Sequence, residues 1–225
     1  MTGLRNLNEA MLTTKAGQEP INITRGRRVQ RGSVSVFFSD IEQELVAEIG
    51  RWPVVFGCMA WLTNRSVLRA LAAREVVSIV VQKEDFLRPD WRGPNSEELR
   101  ELYRRLPSSW DVRMEGGYSI CSGYENGAVR CMGICEARDK TPPRMHHKFF
   151  VFCEHGRDRA YVPQAVWTGS FNATQNATRS IENAVLIGDA KIAEEYYREF
   201  IALLGLSEPL DWTSPYVDPE WRVGT

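Results

Sequence analysis

Two short polar pairs in this sequence have residue types and a spacing that suit phosphate chemistry. His146 and Lys148 stand two residues apart before an apolar run, and Ser170 and Asn172 form a second pair with the same spacing. Side chains two residues apart on a β-strand point to the same face, so each pair can act on one ligand. An imidazole, an amine, a hydroxyl and an amide brought to one place would bind a phosphate group.

The chemistry open to these four side chains is phosphodiester cleavage that needs no metal. Such a reaction requires a nucleophile, a general acid for the leaving oxygen, and fixed donors for the nonbridging oxygens. Histidine can be nucleophile or acid because its ordinary pKa lies near 6.5. On its own, the His146 and Lys148 pair is also typical of an exposed edge strand, where lysine protects against aggregation. The second pair favours the chemical interpretation.

The elements that must position these side chains alternate from Ser33 onward. We predict strands at 34–38, 54–59 and 76–81, with helices at 41–49 and after an Asn64 cap. The third strand shows almost no polar alternation, which is typical of a sheet covered on both faces. This β-α-β-α-β rhythm predicts an α/β fold, with a mixed, largely parallel β-sheet sandwiched between helices.

The second half of the chain carries the candidate site. We predict a helix from Ser96, strands at 128–134, 144–152, 160–167 and 184–187, and a helix at 190–204 ended by Gly205. The segment 111–143 is irregular and rich in glycine, so we expect a loop that could roof a site. The sequence contains no internal repeat, so one catalytic half is expected in each chain.

We divide the chain into a basic N-terminal arm (1–32), a catalytic domain (33–205) and a C-terminal tail packed on that domain (206–225). The arm holds a cluster of arginines at 25, 27, 28 and 31. This cluster could contact phosphates, or the arm could be a solvated lead-in to the domain. Both interpretations stay open at this point.

Composition sets limits on location and partners. The 225 residues carry a net charge of −1, so attraction to nucleic acid must come from local basic patches. The longest apolar run, 54–62, is too short to span a bilayer, and we expect no membrane anchoring. Five cysteines without a framework spacing, and no signal-peptide core, predict a cytoplasmic protein. The cysteine spacing does not favour a zinc site, and we expect neither metal nor cofactor.

The combined motifs resemble a known family. His146-x-Lys148, then Gly169-Ser170-x-Asn172, then Glu182-Asn183 before an apolar strand, are similar to the HKD signature of the phospholipase D superfamily. The resemblance covers roughly residues 33–205, including the opening strands and helices and the closing strand and helix. The fold it implies is the phospholipase D-like fold.

The resemblance implies a metal-independent phosphodiesterase that works through a covalent phosphohistidine. In that mechanism His146 is the nucleophile, and Lys148, Asn172 and Ser170 hold the phosphate. Glu182 accepts a hydrogen bond from the imidazole and orients it. Members of the family need two such motifs per site, so a chain with one motif implies a two-fold symmetric homodimer, in which a second His146 is the general acid.

Single-motif members of this size resemble bacterial endonucleases, and we expect DNA or RNA as the substrate. Arg144, just before His146, is the arginine we expect to bind that substrate. Two alternatives remain: a phospholipid hydrolase with the same chemistry, and a nucleic-acid-binding protein with a degenerate HKD site. One position departs from the family: Cys153 stands where an aspartate is usual. Because it should lie on the strand face opposite His146, this change is expected to alter support around the site.

Overall fold

One large mixed sheet forms the centre of the molecule. The computed structural model describes residues 6–12, 17, 22, 26–87, 93, 96–107, 127–134, 143–157 and 161–210. Within these residues nine strands pair in the order β1-β2-β8-β7-β6-β3-β4-β5-β9. Their bounds are β1 Arg28–Arg31, β2 Val34–Phe37, β3 Val54–Met59, β4 Val76–Gln82, β5 Val129–Met132, β6 Lys148–His155, β7 Tyr161–Gly169, β8 Ala184–Ile187 and β9 Glu208–Pro209.

Helices cover both faces of this sheet, as predicted. They are α1 Ile41–Ile49, α2 Arg65–Ala72, α3 Ser96–Arg104 and α4 Ala190–Leu206. The apolar sides of α1, α2 and α3 share one buried cluster on one face, and α4 packs into a second cluster on the other face. Among the described residues, no helix is both long and apolar enough to cross a membrane.

The sheet is not largely parallel, and that part of the prediction is wrong. Of the eight neighbouring pairs, only β3–β4 and β4–β5 run parallel, and the other six are antiparallel. The reason lies in strand order. The strand β2 lies beside β1 and β8 instead of β3, and β6, β7 and β8 form a meander. A strand that is covered by helices on both faces is apolar whether its neighbours run parallel or antiparallel, so the sequence pattern does not distinguish the two.

The strand β6 supplies side chains to both cores, which explains its continuous apolar run. Phe150 and Phe152 belong to the cluster under α1, α2 and α3, while Phe149 and Val151 face α4. Gly57 on β3 allows the two strands to approach closely, because a Cβ there would lie 2.3 Å from the Phe149 carbonyl oxygen. The start of β6 is therefore firmly held in the middle of the sheet.

The sheet extends past both limits predicted for the domain. Within the N-terminal arm, β1 pairs with β2, and Arg28 forms an ion pair with Glu44 of α1 at 3.1 Å. At the other end, α4 continues through Gly205, and β9 then pairs with β5. The predicted stop of α4 at Gly205 is therefore wrong, since the helix ends at Leu206. The rest of the tail, 211–225, and most of the irregular segment, 111–126 and 135–142, lie outside the described residues.

Candidate active site

Four strands bring the predicted site residues to one end of the sheet. The β3–β6 pairing sets Lys148 beside Met59, where β3 ends. The β6–β7 pairing sets Phe149 opposite Thr168, so the end of β7 arrives next to the start of β6. The β7–β8 pairing then sets Gly169 opposite Ala184, which places Glu182 and Asn183 at the same end.

His146 and Lys148 form the first half of the site and lie in direct contact. The Lys148 Nζ is 3.2 Å from Nδ1 and 3.4 Å from Nε2 of the His146 imidazole, and it donates a hydrogen bond to the His146 carbonyl oxygen at 2.9 Å. His146 lies two residues before the start of β6, and its side chain is exposed. The two side chains point to the same side, as the sequence predicts.

Electrostatics keep this imidazole in the form that a nucleophile needs. Although the side chain is exposed overall, partial desolvation lowers the pKa of His146 below its ordinary value of 6.5, and the positive charges of Lys148 and Arg144 lower it further. The neutral imidazole therefore predominates near neutral pH. Burial also lowers the pKa of Lys148, while the negative charge of Glu182 acts in the opposite direction. Glu182 is thus close enough to Lys148 for its negative charge to raise the pKa of the amine.

Ser170 and Glu182 form the second half of the site. The Ser170 hydroxyl donates a hydrogen bond to Glu182 Oε2 and accepts one from the Asn183 backbone N–H at 3.0 Å. The sequence resemblance assigned Glu182 to orient the imidazole. Among the residues that the structure describes, Glu182 accepts a hydrogen bond from Ser170, and His146 makes none to Glu182.

Asn172 is anchored beside this pair by its two neighbours. Phe171 and Ala173 are buried, and the Ala173 carbonyl oxygen accepts hydrogen bonds from the N–H groups of Thr63 and Asn64, each at 2.8 Å. The Asn172 Oδ1 is buried and has no hydrogen-bond partner among the described residues. Its Nδ2 makes no hydrogen bond in the same part of the chain, which leaves that donor for a ligand.

Gly169 permits the contact that holds Ser170 in place. Its φ is +152°, and a Cβ at this position would lie 2.3 Å from the Asn183 carbonyl oxygen. We expect Gly169→Ala to lower the free energy of unfolding by about 2 kcal/mol, because a backbone atom must move. Urea denaturation measures this change. Gly205→Ala is the matched control: nothing lies within 4 Å of its Cβ position, and a gain of about 0.5 kcal/mol is expected. Equal effects at the two glycines would contradict the explanation.

Arg144 lies at the site but is engaged by a carboxylate. Its Nη1 donates to Glu84 Oε1 at 2.8 Å, and 38% of the side chain is exposed. The same oxygen accepts a hydrogen bond from Trp61 Nε1 at 2.8 Å. The indole of Trp61 packs edge-to-face against the His146 ring, with 5.3 Å between centroids. The sequence analysis missed Trp61 and Glu84, although each follows the carboxyl end of a parallel strand, where α/β sheets place ligands.

Three further residues lie away from this site: His147, His155 and Cys153, the last being the position that departs from the family pattern. His147 faces α4, where its Nε2 is 3.1 Å from Glu199. His155 is at the far end of β6, 2.9 Å from Glu75. Cys153 is fully buried with the α4 cluster, on the face of β6 opposite Lys148, as expected. Within the described ranges, no group of three or more His, Cys, Asp or Glu side chains could hold a metal ion.

Comparison with known sequences identifies the family to which this chain belongs. The family described as cardiolipin synthase, PLD-like domain, matches residues 56–204, about two thirds of the chain and all of the site from Trp61 to Glu182. The chain belongs to the phospholipase D superfamily. This identification confirms the predicted family, and the mixed sheet between helices confirms the α/β class of the fold.

The chain is also similar to individual proteins, at sequence identities of 30% or less. The chain is 29% identical over 205 residues to the uncharacterized protein L381 of Acanthamoeba polyphaga mimivirus, covering 83% of this chain and 70% of that protein. It is 30% identical over 102 residues to the mitochondrial cardiolipin hydrolase of Xenopus tropicalis, covering 45% of this chain and 44% of the relative, less than half of either. The chain also matches the crystal structure of Nuc, a phospholipase D family member from Salmonella typhimurium, at 19% identity and a TM-score of 0.48. The match covers 78% of this chain and 95% of the Nuc chain.

Proposed function

We propose that this chain is a metal-independent phosphodiesterase that cleaves DNA or RNA in a homodimeric active site. The observation that carries the proposal is the contact between a largely neutral His146 imidazole and the Lys148 amine, at the sheet end that also holds Ser170 and Asn172. A neutral imidazole beside fixed donors is suited to nucleophilic attack on phosphorus.

The reaction then proceeds in two steps. A ring nitrogen of His146 forms a bond to phosphorus while the bond to the leaving oxygen breaks, and a second imidazole donates a proton to that oxygen. The same second imidazole then removes a proton from water, whose oxygen attacks phosphorus and breaks the N–P bond. The products are an alcohol and a phosphomonoester. Lys148 and the amide of Asn172 donate to the nonbridging oxygens throughout, and Ser170 assists them.

The second imidazole has to come from another copy of the chain. The sequence contains three histidines, and His147 and His155 are directed away from the site, toward Glu199 and Glu75. An exposed apolar side chain stands beside the site as well: Ile181, next to Glu182, is 61% exposed. Contact between two copies across a two-fold axis would cover such a side chain and supply the second His146.

Nucleic acid is the substrate class that the cations at the site favour. Arg144 and Lys148 flank the exposed nucleophile, and both suit a polyanionic backbone. A phospholipid is the alternative, favoured by exposed apolar side chains on the N-terminal segment, which Asn8 ties to the carbonyl oxygens of Thr178 and Ser180. Those side chains, each at least 46% exposed, are Leu7, Met11 and Leu12. A relative named as a cardiolipin hydrolase points the same way.

A direct assay tests the function and separates the substrates. The protein is incubated in excess EDTA with plasmid, single-stranded DNA, RNA, or vesicles that contain cardiolipin. We expect cleavage of a nucleic acid and a dimer by sedimentation equilibrium at the assay concentration. Strict dependence on added Mg²⁺ would contradict the phosphohistidine mechanism. Turnover of cardiolipin alone would show that the protein is a lipid hydrolase and not a nuclease. Binding of nucleic acid without cleavage would indicate a degenerate site.

The pH profile tests the electrostatics of the nucleophile. The reaction requires one neutral His146 as the nucleophile and one protonated His146 as the acid, so kcat/KM has an acidic limb where the nucleophile becomes protonated, at a pKa below 6.5. Arg144→Gln removes a positive charge that lowers this pKa, so the acidic limb of kcat/KM is expected to move to higher pH. Arg65→Gln is the control, since Arg65 pairs with Glu98 on α3. A limb that stays in place in Arg144→Gln would contradict the assignment of that limb to His146.

A further inference from the structure

A tryptophan, a glutamate and an arginine form a small network against the nucleophile. Trp61 follows β3, Glu84 follows β4, and Arg144 lies two residues before His146. Both the indole N–H and the guanidinium donate to Glu84 Oε1, each at 2.8 Å. The indole is half-buried, and its plane stands at 83° to the imidazole of His146. One carboxylate oxygen thus fixes the aromatic ring that touches the nucleophile.

The backbone before His146 is held by the same end of β4. The buried side chain of Gln82 accepts a hydrogen bond from the Met145 N–H at 2.7 Å. Its amide group also donates to the carbonyl oxygens of Lys83 and Ile134. Gln82 therefore fixes the main chain at residue 145, while Glu84 fixes the side chain at residue 144.

These contacts supply the orientation that Glu182 does not provide within the chain. Glu182 is bonded to Ser170, whereas the ring of His146 meets the Lys148 amine and the Trp61 indole. We propose that Glu84 is a positioning residue, which sets the imidazole of His146 in line for attack by holding Trp61 against it. This inference rests on the proposed function for its catalytic meaning.

The physical basis is restriction of the imidazole ring. An exposed histidine can rotate about two side-chain bonds, and an edge-to-face aromatic contact removes part of that freedom. A reacting nitrogen that is displaced by about 1 Å can lose about 10²-fold in rate while the substrate still binds. Loss of the contact between Trp61 and His146 should therefore lower kcat and leave KM nearly unchanged.

The chain contains a matched control for this network. At the other end of β3, Glu48 accepts a hydrogen bond from Trp52 Nε1 at 2.9 Å and pairs with Arg51 at 2.8 Å. This second tryptophan stacks on Phe152, far from His146. Trp52→Leu therefore removes a comparable ring and hydrogen bond without touching the nucleophile.

The kinetic test compares the two tryptophans and their carboxylates. We expect Trp61→Leu and Glu84→Ala each to lower kcat by about 10²-fold. KM should change less than about twofold in Trp61→Leu, which keeps Glu84 as the partner of Arg144. Glu84→Gln keeps an oxygen acceptor for the indole, and Trp61→Phe keeps a ring, so each should recover much of the rate. Trp52→Leu and Glu48→Gln should keep the wild-type kcat. A fall in kcat that is the same for Trp61→Leu and Trp52→Leu would overturn the proposal.

A titration without substrate separates this inference from the proposed function. Partial desolvation is the largest cause of the lowered pKa of His146, and the indole of Trp61 packs against its ring, so removal of the indole should raise that pKa. The imidazole resonances of His146 are followed by NMR against pH in wild type, Trp61→Leu and Trp52→Leu. A rise in Trp61→Leu alone supports the network, even if the wild-type protein cleaves no phosphodiester and the proposed function fails. An unchanged pKa in Trp61→Leu would overturn the network, even if His146 proves catalytic.

Discussion

Replacement of His146 by asparagine is expected to lower kcat/KM for a phosphodiester by at least about 10⁴-fold. The imidazole supplies both the nucleophile and, from the second chain, the general acid, and loss of a nucleophile removes the covalent route altogether. Asparagine is close in size, and His146 is exposed, so the fold should be unaffected. Initial rates in excess EDTA measure the change. His155→Asn, the same substitution at the far end of β6, is the control and should keep full activity.

The shared site makes this variant dominant when it is mixed with wild type. After subunit exchange at fixed total concentration, an equal mixture contains about one quarter wild-type dimers, so activity should fall to about a quarter of the wild-type value. Independent single-chain sites would retain about half. Survival of activity in His146→Asn alone would contradict the assignment of the nucleophile, and a linear dependence on the wild-type fraction would contradict the shared site.

Replacement of Lys148 by methionine is expected to have the second-largest effect, a loss of about 10²- to 10³-fold in kcat/KM. Methionine matches the length of the side chain but removes the charge that faces the nonbridging oxygens, and loss of one such fixed donor typically has an effect of this size. The amine also donates to the His146 carbonyl oxygen at 2.9 Å, so part of the effect comes from the backbone at the nucleophile.

Two further lysine variants make this result specific. Lys148→Arg keeps the charge but presents it on a larger planar group, and only partial activity is expected. Lys191→Met removes an exposed charge from the first turn of α4 and should leave kcat/KM unchanged. Equal losses in Lys148→Met and Lys191→Met would show that the net charge of the chain matters, and would contradict a specific role for Lys148.

Local sequence pattern predicted individual elements well. The helix α1 and the strands β3 and β8 have the predicted bounds, because caps, apolar stripes and short apolar runs are encoded within a few residues. Strand direction was not predictable in the same way. A strand buried on both faces gives the same apolar run beside a parallel or an antiparallel neighbour, so the antiparallel pairing of β3 with β6 left no local signal.

The candidate site shows the same contrast between what local sequence pattern predicts and what depends on strand pairing. His146 with Lys148, and Ser170 with Asn172, were found because each pair lies within three residues and has a recognisable type and spacing. The hydrogen-bond partner of Glu182 was not predicted in this way, because the choice between Ser170 and His146 depends on where two strand ends meet. Trp61 and Glu84 are more than sixty residues before His146 and reach it only through the β3–β4–β6 arrangement.

The covalent intermediate is the most direct test of the account. Wild-type protein turning over an oligonucleotide in excess EDTA is quenched in alkaline denaturant, which preserves phosphohistidine, and its peptides are mapped by mass spectrometry. The account predicts a nucleotide adduct on His146 that forms and decays with turnover and is absent in His146→Asn. An active enzyme without any adduct, or with the adduct on another residue, would contradict it.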